Sequence, residues 1–589
     1  MPAFGDVTGP GRDASSLPLV PPSGTGTCPP TLAMNPGAIQ FSPRMSVQRI
    51  SGRIVDVHHR TEFPGTIEFS EGVIRTIARD PRVRSRRLLM PGLVDAHIHI
   101  ESSMLPPAEF ARHAVVHGTV ATVSDPHEIA NVLGVAGVNY MIADGRRSPF
   151  KFYFGASPCV PATTFETAGA KLDARAVAKL LVRPEVKFLA EVMNFPGVLA
   201  GDPSLRAMMT AAKKRGKPVD GHAPGLRGKV AARYAAAGIT TDHECFTLAE
   251  AKDKLAAGMK ILIREGSAAR NFAALAPLLK TDAARCMFCC DDLHPDLLMK
   301  RHLDEHVRRA LALGADRFEV VACATLNPVW HYGLAVGLLR EGDPADFIEV
   351  ESWKNFRVRR TWLDGRLVAS GGRSLLPRQR PRIVNQFRAL PRSAADFAVP
   401  AGKGSLNVIQ ALNGQLITRH LRLRAKTAGG HVVADPARDL LKLAVVNRYA
   451  RTAPVAVGFI RGFGLKAGAL ASSVAHDSHN IVAVGVDDAS LAAAVNLVIA
   501  HRGGISVVGG GRRAVLPLPI AGLMSDADGR TVARRYTALD ARAKRLGSRL
   551  DAPFMTLAFM ALLVIPDLKL SDRGLFSAAK WGFTPLRGR

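Results

Sequence analysis

The chain has 589 residues, several times the length of one ordinary domain, so roughly two to four domains are expected. Hydrophobic residues make up 47% of the sequence and charged residues 22%, a composition typical of a globular protein with a buried core. The formal net charge is +28, but the lysines and arginines are spread along the whole chain, and no helix-turn-helix, zinc-finger or aromatic-plus-basic pattern accompanies them. We therefore expect no nucleic-acid partner.

The cysteines and the longest apolar run bear on the location of the protein. The seven cysteines are odd in number and irregularly spaced, which predicts reduced cytoplasmic thiols instead of a disulfide framework. The longest apolar run, Phe554 to Ile565, is shorter than the roughly 20 residues of a membrane-spanning helix, so we predict a buried element there. The sequence thus favours a cytoplasmic protein without a membrane partner.

The chain changes character near residue 46. Residues 1–45 are rich in Pro, Gly, Ser and Thr, and such a segment cannot bury enough apolar surface to offset its ordering entropy. We predict a disordered N-terminal extension over residues 1–45. Short alternating runs follow between Ile50 and Ile77, and they indicate a small β-domain over residues 46–87.

Between residue 88 and about residue 320 the sequence repeats the order strand, loop, helix. Apolar runs alternate with amphipathic stretches such as 202–216 and 296–314, and several of these stretches end at Gly. The runs are 88–99, 119–124, 151–157, 186–193, 218–222, 239–243, 259–263 and 285–290. Eight such units predict a (β/α)8 TIM-like barrel over residues 88–329. The alternative is a doubly wound sheet, and it is disfavoured because no Gly-x-Gly-x-x-Gly follows the first strand.

A barrel of this kind places its chemistry at the carboxyl ends of its strands. Residues of metal-ligand type occupy the predicted ends: His97, His99, Asp125, His127, Glu191, His222, His243, Asp291 and Asp292. His97 and His99 can reach one ion because residues two apart in a strand point to the same side. Each histidine alone has an ordinary interpretation, on a solvated strand face or in the core. Together they predict a metal site, since imidazole is the commonest metal ligand in proteins.

The chain beyond about residue 400 predicts a further α/β domain, over residues 400–577. We predict strands at Val455–Ile460, Ile481–Val486 and Ile505–Val508, and helices at Asp439–Arg451 and Ser490–His501. The segment His476-Asp-Ser-His-Asn480 is rich in side chains that bind purines or protons. It is interpreted either as a structural hydrogen-bond network or as a flap that reaches the active site and excludes water.

Four strings carry a resemblance to a known family. They are His97-Ile-His-Ile-Glu-Ser-Ser, Ser124-Asp-Pro-His-Glu-Ile-Ala-Asn, Glu191-Val-Met-Asn-Phe-Pro-Gly-Val and Val474-Ala-His-Asp-Ser-His-Asn. From about residue 46 to 577 the chain resembles the prokaryotic adenine deaminases, in the amidohydrolase superfamily of metal-dependent hydrolases. The resemblance implies a composite β-sandwich domain from 46–87 and 330–395, a C-terminal deaminase domain over 400–577, and a basic tail over 578–589.

The resemblance also implies a site for two divalent metal ions. Many members of the superfamily bridge two metals with a carboxylated lysine on the fourth strand. Here Lys187 lies near the start of that strand, whereas Glu191 lies at its end and can bridge two ions directly. The implied ligands of one ion are His97, His99 and Asp291, and those of the other are His222 and His243. Mixed oxygen and imidazole ligands suit Mn, Fe or Zn, and the family favours manganese, with iron or zinc as the alternatives.

The implied reaction is hydrolysis of adenine to hypoxanthine and ammonia, by attack of a metal-bound hydroxide on C6, in purine salvage. Members of such a family are expected to form homo-oligomers, here a dimer. We expect Asp291 to accept the proton of the nucleophile while it ligates a metal. Asp292, Glu101 and His127 are candidates for ring contacts and proton delivery. The ordinary alternative for these loop side chains is exposure to solvent.

Three other functions are weighed against this one. A second class of nucleobase deaminases uses zinc, with His-x-Glu followed by Pro-Cys-x-x-Cys. Cys286-Met-Phe-Cys289 has the CxxC spacing, but it has no preceding Pro and no second pair, so we predict buried core thiols. Another amidohydrolase, acting on a cyclic amide or on an N-acetylated amino sugar, stays the alternative. A barrel without catalytic activity is disfavoured because no proposed ligand is missing.

Overall fold

The central feature of the fold is a barrel of eight parallel strands. The computed structural model describes residues 47–267 and 270–588, so the extension predicted over residues 1–45 lies outside the described residues. The barrel strands are Leu93–Ile98, Thr119–Ser124, Lys151–Ala156, Val186–Val192, Val219–Gly221, Thr241–Asp242, Lys260–Arg264 and Cys286–Cys289. The first and last strands meet where Ile98 pairs with Asp291, whose amide N–H donates to the His97 carbonyl at 2.9 Å. This order confirms the predicted barrel.

The apolar run 88–99 contains two strands instead of one. Leu88–Pro91 belongs to a different sheet, and the barrel strand Leu93–Ile98 begins after Gly92. At Gly92 the backbone passes so close to Val120 that an added Cβ would lie 2.3 Å from its Cγ1 atom. A side chain would therefore not fit at the point where the chain leaves one sheet and enters the barrel.

Helices surround the barrel between its strands. They are Pro107–Ala114, His127–Leu133, Val135–Gly145, Ala174–Leu180, Phe195–Ala200, Pro203–Lys213, Gly228–Ala236, Leu248–Ala256, Phe272–Leu275, Leu278–Thr281, Pro295–Leu298, Leu303–Ala312, Arg317–Cys323 and Leu326–Tyr332. The amphipathic stretch 296–314 is interrupted at His302, whose buried ring places its Nε2 atom 3.2 Å from Oδ2 of Asp95 on the first barrel strand. The stretch therefore forms two helices, Pro295–Leu298 and Leu303–Ala312, instead of one.

A second sheet contains segments from both sides of the barrel in sequence. Its eight strands are Gln48–Asp56, Thr61–Ser70, Val73–Arg79, Leu88–Pro91, Phe347–Val350, Val358–Leu363, Arg366–Ser370 and Arg373–Ser374. Leu88–Pro91 lies in the middle, parallel to Gln48–Asp56 and antiparallel to Phe347–Val350. One sheet therefore combines strands that precede and strands that follow the barrel in sequence.

The third sheet lies in the C-terminal part of the chain and has nine strands. They are Ser405–Ala411, Thr418–Leu423, Leu441–Val446, Val455–Arg461, Ala469–Ser472, Ile481–Gly485, Gly504–Gly509, Arg512–Pro517 and Arg587–Gly588. The helices of this region are Asp488–Ala500, Gly529–Arg545 and Pro553–Ala558. Smaller sheets are formed by Lys426–Ala428 with His431–Val433, and by Leu568–Ser571, Gly574–Ser577 and Gly582–Phe583. Because Arg587 pairs with Leu406, the end of the chain joins the large sheet.

The helix predicted over Asp439–Arg451 is wrong. Leu441–Val446 is a strand, antiparallel to a neighbour on each side and buried along its whole length. A strand buried on both faces is a continuous apolar run, which periodicity alone cannot distinguish from a short buried helix. The one charged residue of the run, Lys442, places its Nζ atom 2.6 Å from Asp488 Oδ1.

The barrel and the C-terminal sheet share one hydrophobic core. It includes Phe154 and Phe288 from barrel strands together with Leu443 and Phe554 from the C-terminal region. Phe554 to Ile565 is buried as predicted. The six cysteines in the described ranges are free and buried, including Cys286 and Cys289. No helix within the described ranges combines the length and the apolar character that crossing a bilayer requires.

Candidate metal centre

Six side chains predicted as metal ligands converge at the carboxyl ends of the barrel strands. All six are at least 95% buried: His97, His99, Glu191, His222, His243 and Asp291. Glu191 lies on the fourth strand, and His222 and His243 directly follow the fifth and sixth. Parallel strands of a barrel end at the same rim, which brings residues distant in sequence together.

Glu191 lies in the middle of this group. Its Oε1 atom is 3.2 Å from His99 Nε2, and its Oε2 atom is 2.6 Å from His222 Nδ1 and 3.2 Å from His243 Nε2. The two carboxylate oxygens therefore face histidines from different strands. This is the arrangement in which one carboxylate can contact two ions.

His97, His99 and Asp291 form one end of the group. The Nε2 atoms of the two histidines are 3.2 Å apart, and Asp291 Oδ1 lies 3.1 Å from that of His99 and 3.7 Å from that of His97. Asp291 has a φ of +55°, a left-handed backbone that non-glycine residues rarely adopt. The chain tolerates this strain where it turns the carboxylate towards the two imidazoles, as functional sites often do.

The donor set fits divalent metal ions. His97 Nδ1 and His222 Nε2 are buried and have no hydrogen-bond partner in the described part of the chain. Burial, and then the neighbouring His243, hold the pKa of His97 well below its ordinary value, so the ring is neutral, which is the form that ligates metal. His97 and His243 also stack at 4.1 Å between ring centroids, a contact that two charged rings would disfavour.

Arg264, a charged residue that the sequence did not single out, holds Asp291. Arg264, the last residue of the seventh strand, contacts Oδ2 of Asp291 and also Glu244. Burial favours the neutral form of Asp291, but Arg264, and after it His99 and His243, hold its pKa well below the usual range. The sequence does show an arginine at the end of the strand Lys260–Arg264. It was not predicted as a site residue because a guanidinium group does not ligate metals.

Asp125 and His127 form a polar group beside Glu191. His127 Nδ1 lies 3.1 Å from Asp125 Oδ2 and 3.3 Å from Glu191 Oε1. Asp125 also accepts a hydrogen bond from Ser157 Oγ at 2.5 Å. Burial opposes a charge on His127, yet Asp125, Asp477 and Glu128 raise its pKa well above the ordinary value. His127 can therefore carry a proton next to the metal group.

Glu101 and Asp292 are buried side chains and are not solvated loop carboxylates. Glu101 Oε1 accepts from the amide of Ile129 at 3.2 Å, and burial together with the nearby Glu128 raises the Glu101 pKa to about 7. Asp292 Oδ1 accepts from Ser102 Oγ at 2.5 Å, and burial raises its pKa. Both groups can therefore hold a proton at less acidic pH than an exposed carboxylate.

The segment 476–480 of the C-terminal region reaches this same rim. His476 Nδ1 lies 2.6 Å from Glu128 Oε1, and His479 Nε2 contacts Glu128 Oε2. Asn480 Nδ2 donates to the Thr167 carbonyl at 2.8 Å. Sequence separation concealed this proximity, and Glu128 was not among the predicted site residues.

Comparison with known proteins agrees with the geometry. Residues 88–368 match the amidohydrolase family, and residues 415–581 match the adenine deaminase C-terminal domain. An adenine deaminase from Salinibacter ruber is 58% identical over 535 residues, which cover 91% of this chain and 98% of that protein. Adenine deaminases from a Sulfurovum species and from Methanosarcina acetivorans are 54% and 49% identical, covering 90% and 92% of this chain and 98% and 99% of those proteins. The chain thus belongs to the adenine deaminase family, within the amidohydrolases.

Proposed function

We propose that this chain hydrolyses adenine to hypoxanthine and ammonia. The observation that carries the proposal is the position of Glu191 among His99, His222 and His243, at the rim of the barrel of a chain that matches an adenine deaminase over 91% of its length. In the reaction the oxygen of water attacks C6 of the purine, the bond from C6 to the exocyclic nitrogen breaks, and that nitrogen leaves as ammonia.

The six converging side chains would hold two divalent ions. His97, His99 and Asp291 would bind one ion, His222 and His243 the other, and Glu191 would contact both. Such ions supply Lewis-acid activation of water at neutral pH. A set of imidazoles and carboxylates suits Mn, Fe or Zn, and we propose that the bound ions are Mn²⁺.

The remaining side chains would move protons and hold the ring. We assign to Asp291 the acceptance of a proton from the attacking water, because its Oδ1 atom lies among the imidazoles that would hold the metal. Glu101 and His127 can each carry a proton near neutral pH and are candidates to deliver it to the leaving nitrogen. Asp292, held by Ser102, is a candidate to contact the ring.

An assay of ammonia release tests the reaction. Full-length enzyme prepared with Mn²⁺ is incubated separately with adenine, with cyclic amides and with N-acetylated amino sugars. Ammonia and hypoxanthine in equal amounts from adenine are the expected result. Turnover of a cyclic amide or release of acetate, without deamination of adenine, would assign the site to another amidohydrolase reaction.

We also propose the cellular setting that this reaction implies. The enzyme would act in the cytoplasm in purine salvage, as a homo-oligomer, most simply a dimer, with no nucleic-acid or membrane partner. Light scattering of the purified chain measures the oligomeric state, and a monomeric mass would contradict the dimer. Retention on a nucleic-acid column at physiological salt would contradict the expectation about partners.

A further inference from the structure

The proposed ligands of the second ion, His222 and His243, follow the two shortest strands of the barrel. Val219–Gly221 has three residues and Thr241–Asp242 has two. The ladder between these strands ends at the residues directly before the two histidines. Hydrogen bonds between these two strands therefore do not fix the backbones that carry the two imidazoles.

A fully buried lysine connects the two loops that carry these histidines. Lys254, on the helix Leu248–Ala256, is 0% exposed. Its Nζ atom donates to the Ala223 carbonyl at 2.7 Å and to Glu250 Oε1 at 2.9 Å, and it lies 3.1 Å from Asp242 Oδ1. An ammonium group has three donors, so each of them has an acceptor here. We call Lys254, Asp242 and Glu250 the lysine cluster.

Asp242 holds the backbone directly after each of the two proposed ligands. Its Oδ2 atom accepts from the Ala223 amide at 3.0 Å, and its Oδ1 atom accepts from the Glu244 amide at 2.8 Å. Ala223 follows His222 in the chain, and Glu244 follows His243. One carboxylate therefore ties the two ligand-bearing loops together, at the residues adjacent to the imidazoles.

Glu250 makes the same kind of connection further along both loops. Its Oε1 atom accepts from the Gly225 amide at 2.8 Å, and its Oε2 atom accepts from the Phe246 amide at 3.0 Å. Because Lys254 also donates to Glu250 Oε1 and to the Ala223 carbonyl, the lysine joins this carboxylate to the backbone that follows the first histidine. Both loops are therefore held at two points each.

The charge of Lys254 keeps two carboxylates together inside the protein. Asp242 and Glu250 are 0% and 2% exposed, and buried carboxylates without a cation are costly. Burial opposes the charge on Lys254, but Asp242, and after it Cys245 and Glu250, raise its pKa above the ordinary value. The lysine is therefore protonated and can donate all three hydrogen bonds.

We propose that Lys254 is a positioning residue for the second metal ion, an inference that rests on the two-ion site of the proposed function. Lys254 acts through Asp242 and Glu250, which hold the loops of His222 and His243 in the arrangement that one ion needs. Removing partners that orient metal ligands typically changes metal affinity by about 10–100-fold. Within the described ranges, the ligands of the first ion form no hydrogen bond or ion pair with the lysine cluster. We therefore expect the effect to be confined to the second ion.

Manganese binding by the full chain tests the proposal. The wild type, Lys254→Met and the control Lys252→Met, at an exposed lysine of the same helix, are titrated with Mn²⁺ by equilibrium dialysis. We expect Lys252→Met to bind two ions with the affinities of the wild type. In Lys254→Met one ion should keep its affinity, and the other should bind about 10–100-fold more weakly. Two ions bound as in the wild type, or equal weakening of both ions, would overturn the proposal.

A second variant separates the effect of position from the effect of charge. Lys254→Met adds one net negative charge to the lysine cluster, and by electrostatics alone this should strengthen the binding of a cation. The double variant Lys254→Met with Glu250→Gln keeps the net charge of the wild type, and it replaces the single variant if that one does not fold. Weaker binding of one ion is expected in both variants. Tighter binding of Mn²⁺ in Lys254→Met, or unchanged binding of both ions in the double variant, would contradict a positioning role.

Anomalous diffraction at the manganese edge identifies which ion is affected. In crystals of the variant the peak beside His97, His99 and Asp291 should remain, and the peak beside His222 and His243 should weaken relative to the wild type. Loss of the first peak alone would refute the proposal. None of these readouts depends on turnover, so a failure of the adenine reaction would be seen separately, in the ammonia assay. A wild type without bound Mn²⁺ would overturn the two-ion site together with this proposal, whereas two ions in every variant would overturn this proposal alone.

Discussion

Arg264 and Asp291 form a buried ion pair that leaves one oxygen of the aspartate facing the metal group. The guanidinium contacts Oδ2, whereas Oδ1 lies 3.1 Å from His99 Nε2. Arg264 also contacts Glu244, which follows the proposed ligand His243. One cation therefore balances two carboxylates, one beside each half of the proposed site.

Replacing Arg264 should harm both stability and metal binding. In Arg264→Met two buried carboxylates lose their cation, and breaking a buried pair in this way costs about 3–5 kcal/mol. We expect the free energy of unfolding in urea to fall by that order, and the affinity for Mn²⁺ to fall with it. The control is Arg285→Met, whose partly exposed pair with Asp282 should change stability by less than about 1 kcal/mol. Equal stabilities of the two variants would contradict this role of Arg264.

Glu191 should be essential for metal binding, whereas Lys187 should not be. Glu191→Gln keeps the shape but loses the charge that two ions would share, so both metal content and turnover should collapse. Lys187, whose Nζ atom lies 6.0 Å from the ring centroid of Tyr153, should tolerate Ala with substantial activity retained. The measurement is metal per chain together with ammonia release. Two tightly held barrel ions in Glu191→Gln would refute the bridging role.

Asp291 and Asp292 should differ in kinetics. Asp291→Asn removes a general base, which typically costs about 10²–10⁴-fold in rate, so kcat should fall that far even in excess metal. Asp292→Asn should keep its metal and raise KM, because uniform binding affects KM alone. Steady-state kinetics with metal analysis separate the two. Loss of metal from Asp292→Asn but not from Asp291→Asn would reverse the assignment.

Lys569, a buried lysine of the C-terminal region, should make the stability of the fold depend on pH. Burial lowers its pKa to about 7, although Asp567 opposes the shift, and Nζ donates to the carbonyls of Leu416 and Phe559. The unfolded chain binds this proton up to about pH 10.4 and the folded chain only up to about pH 7. The contribution of Lys569 to the free energy of unfolding is therefore at its maximum above about pH 10, and it decreases as the pH falls to 7.

The comparison of wild type with Lys569→Met isolates this effect. Between pH 7 and 10 the wild type should gain stability over the variant by at most about 1.4 kcal/mol per pH unit. Urea unfolding at several pH values measures the difference. Lys580→Met, at an exposed lysine beside the same small sheet, should follow the wild type at every pH. A constant difference between wild type and Lys569→Met would contradict the shift.

The sequence predicted the barrel well because its strands are buried on both faces. Such strands are continuous apolar runs, and the ligand-type residues stand out at their ends, as His222 and His243 do. The same property caused the error at Leu441–Val446, where a buried strand was taken for a helix. Sheet neighbours decide that choice, and they come from segments distant in sequence.

Contacts between distant residues were also the part of the site that sequence patterns could not supply. The spacing of Arg264 from Glu244 and from Asp291 follows no helix or strand period. Their side chains come into contact only in the folded barrel. Glu128 and His476 belong to different sheet regions. Sequence motifs singled out Asp291 and His476, but they did not indicate that Arg264 and Glu128 contact these side chains.

The pairing of Ile98 with Asp291 makes the seam of the barrel part of its chemistry. The backbone of Asp291 closes the cylinder, through its N–H to His97 and its carbonyl to the His99 amide at 3.3 Å, while its side chain faces the proposed ions. Fraying of the seam would therefore pull a ligand away, and loss of the ions would loosen the seam. A chelator should accordingly speed hydrogen exchange at the amides of Asp291 and His99 more than at amides in the middle of the second strand, Thr119–Ser124.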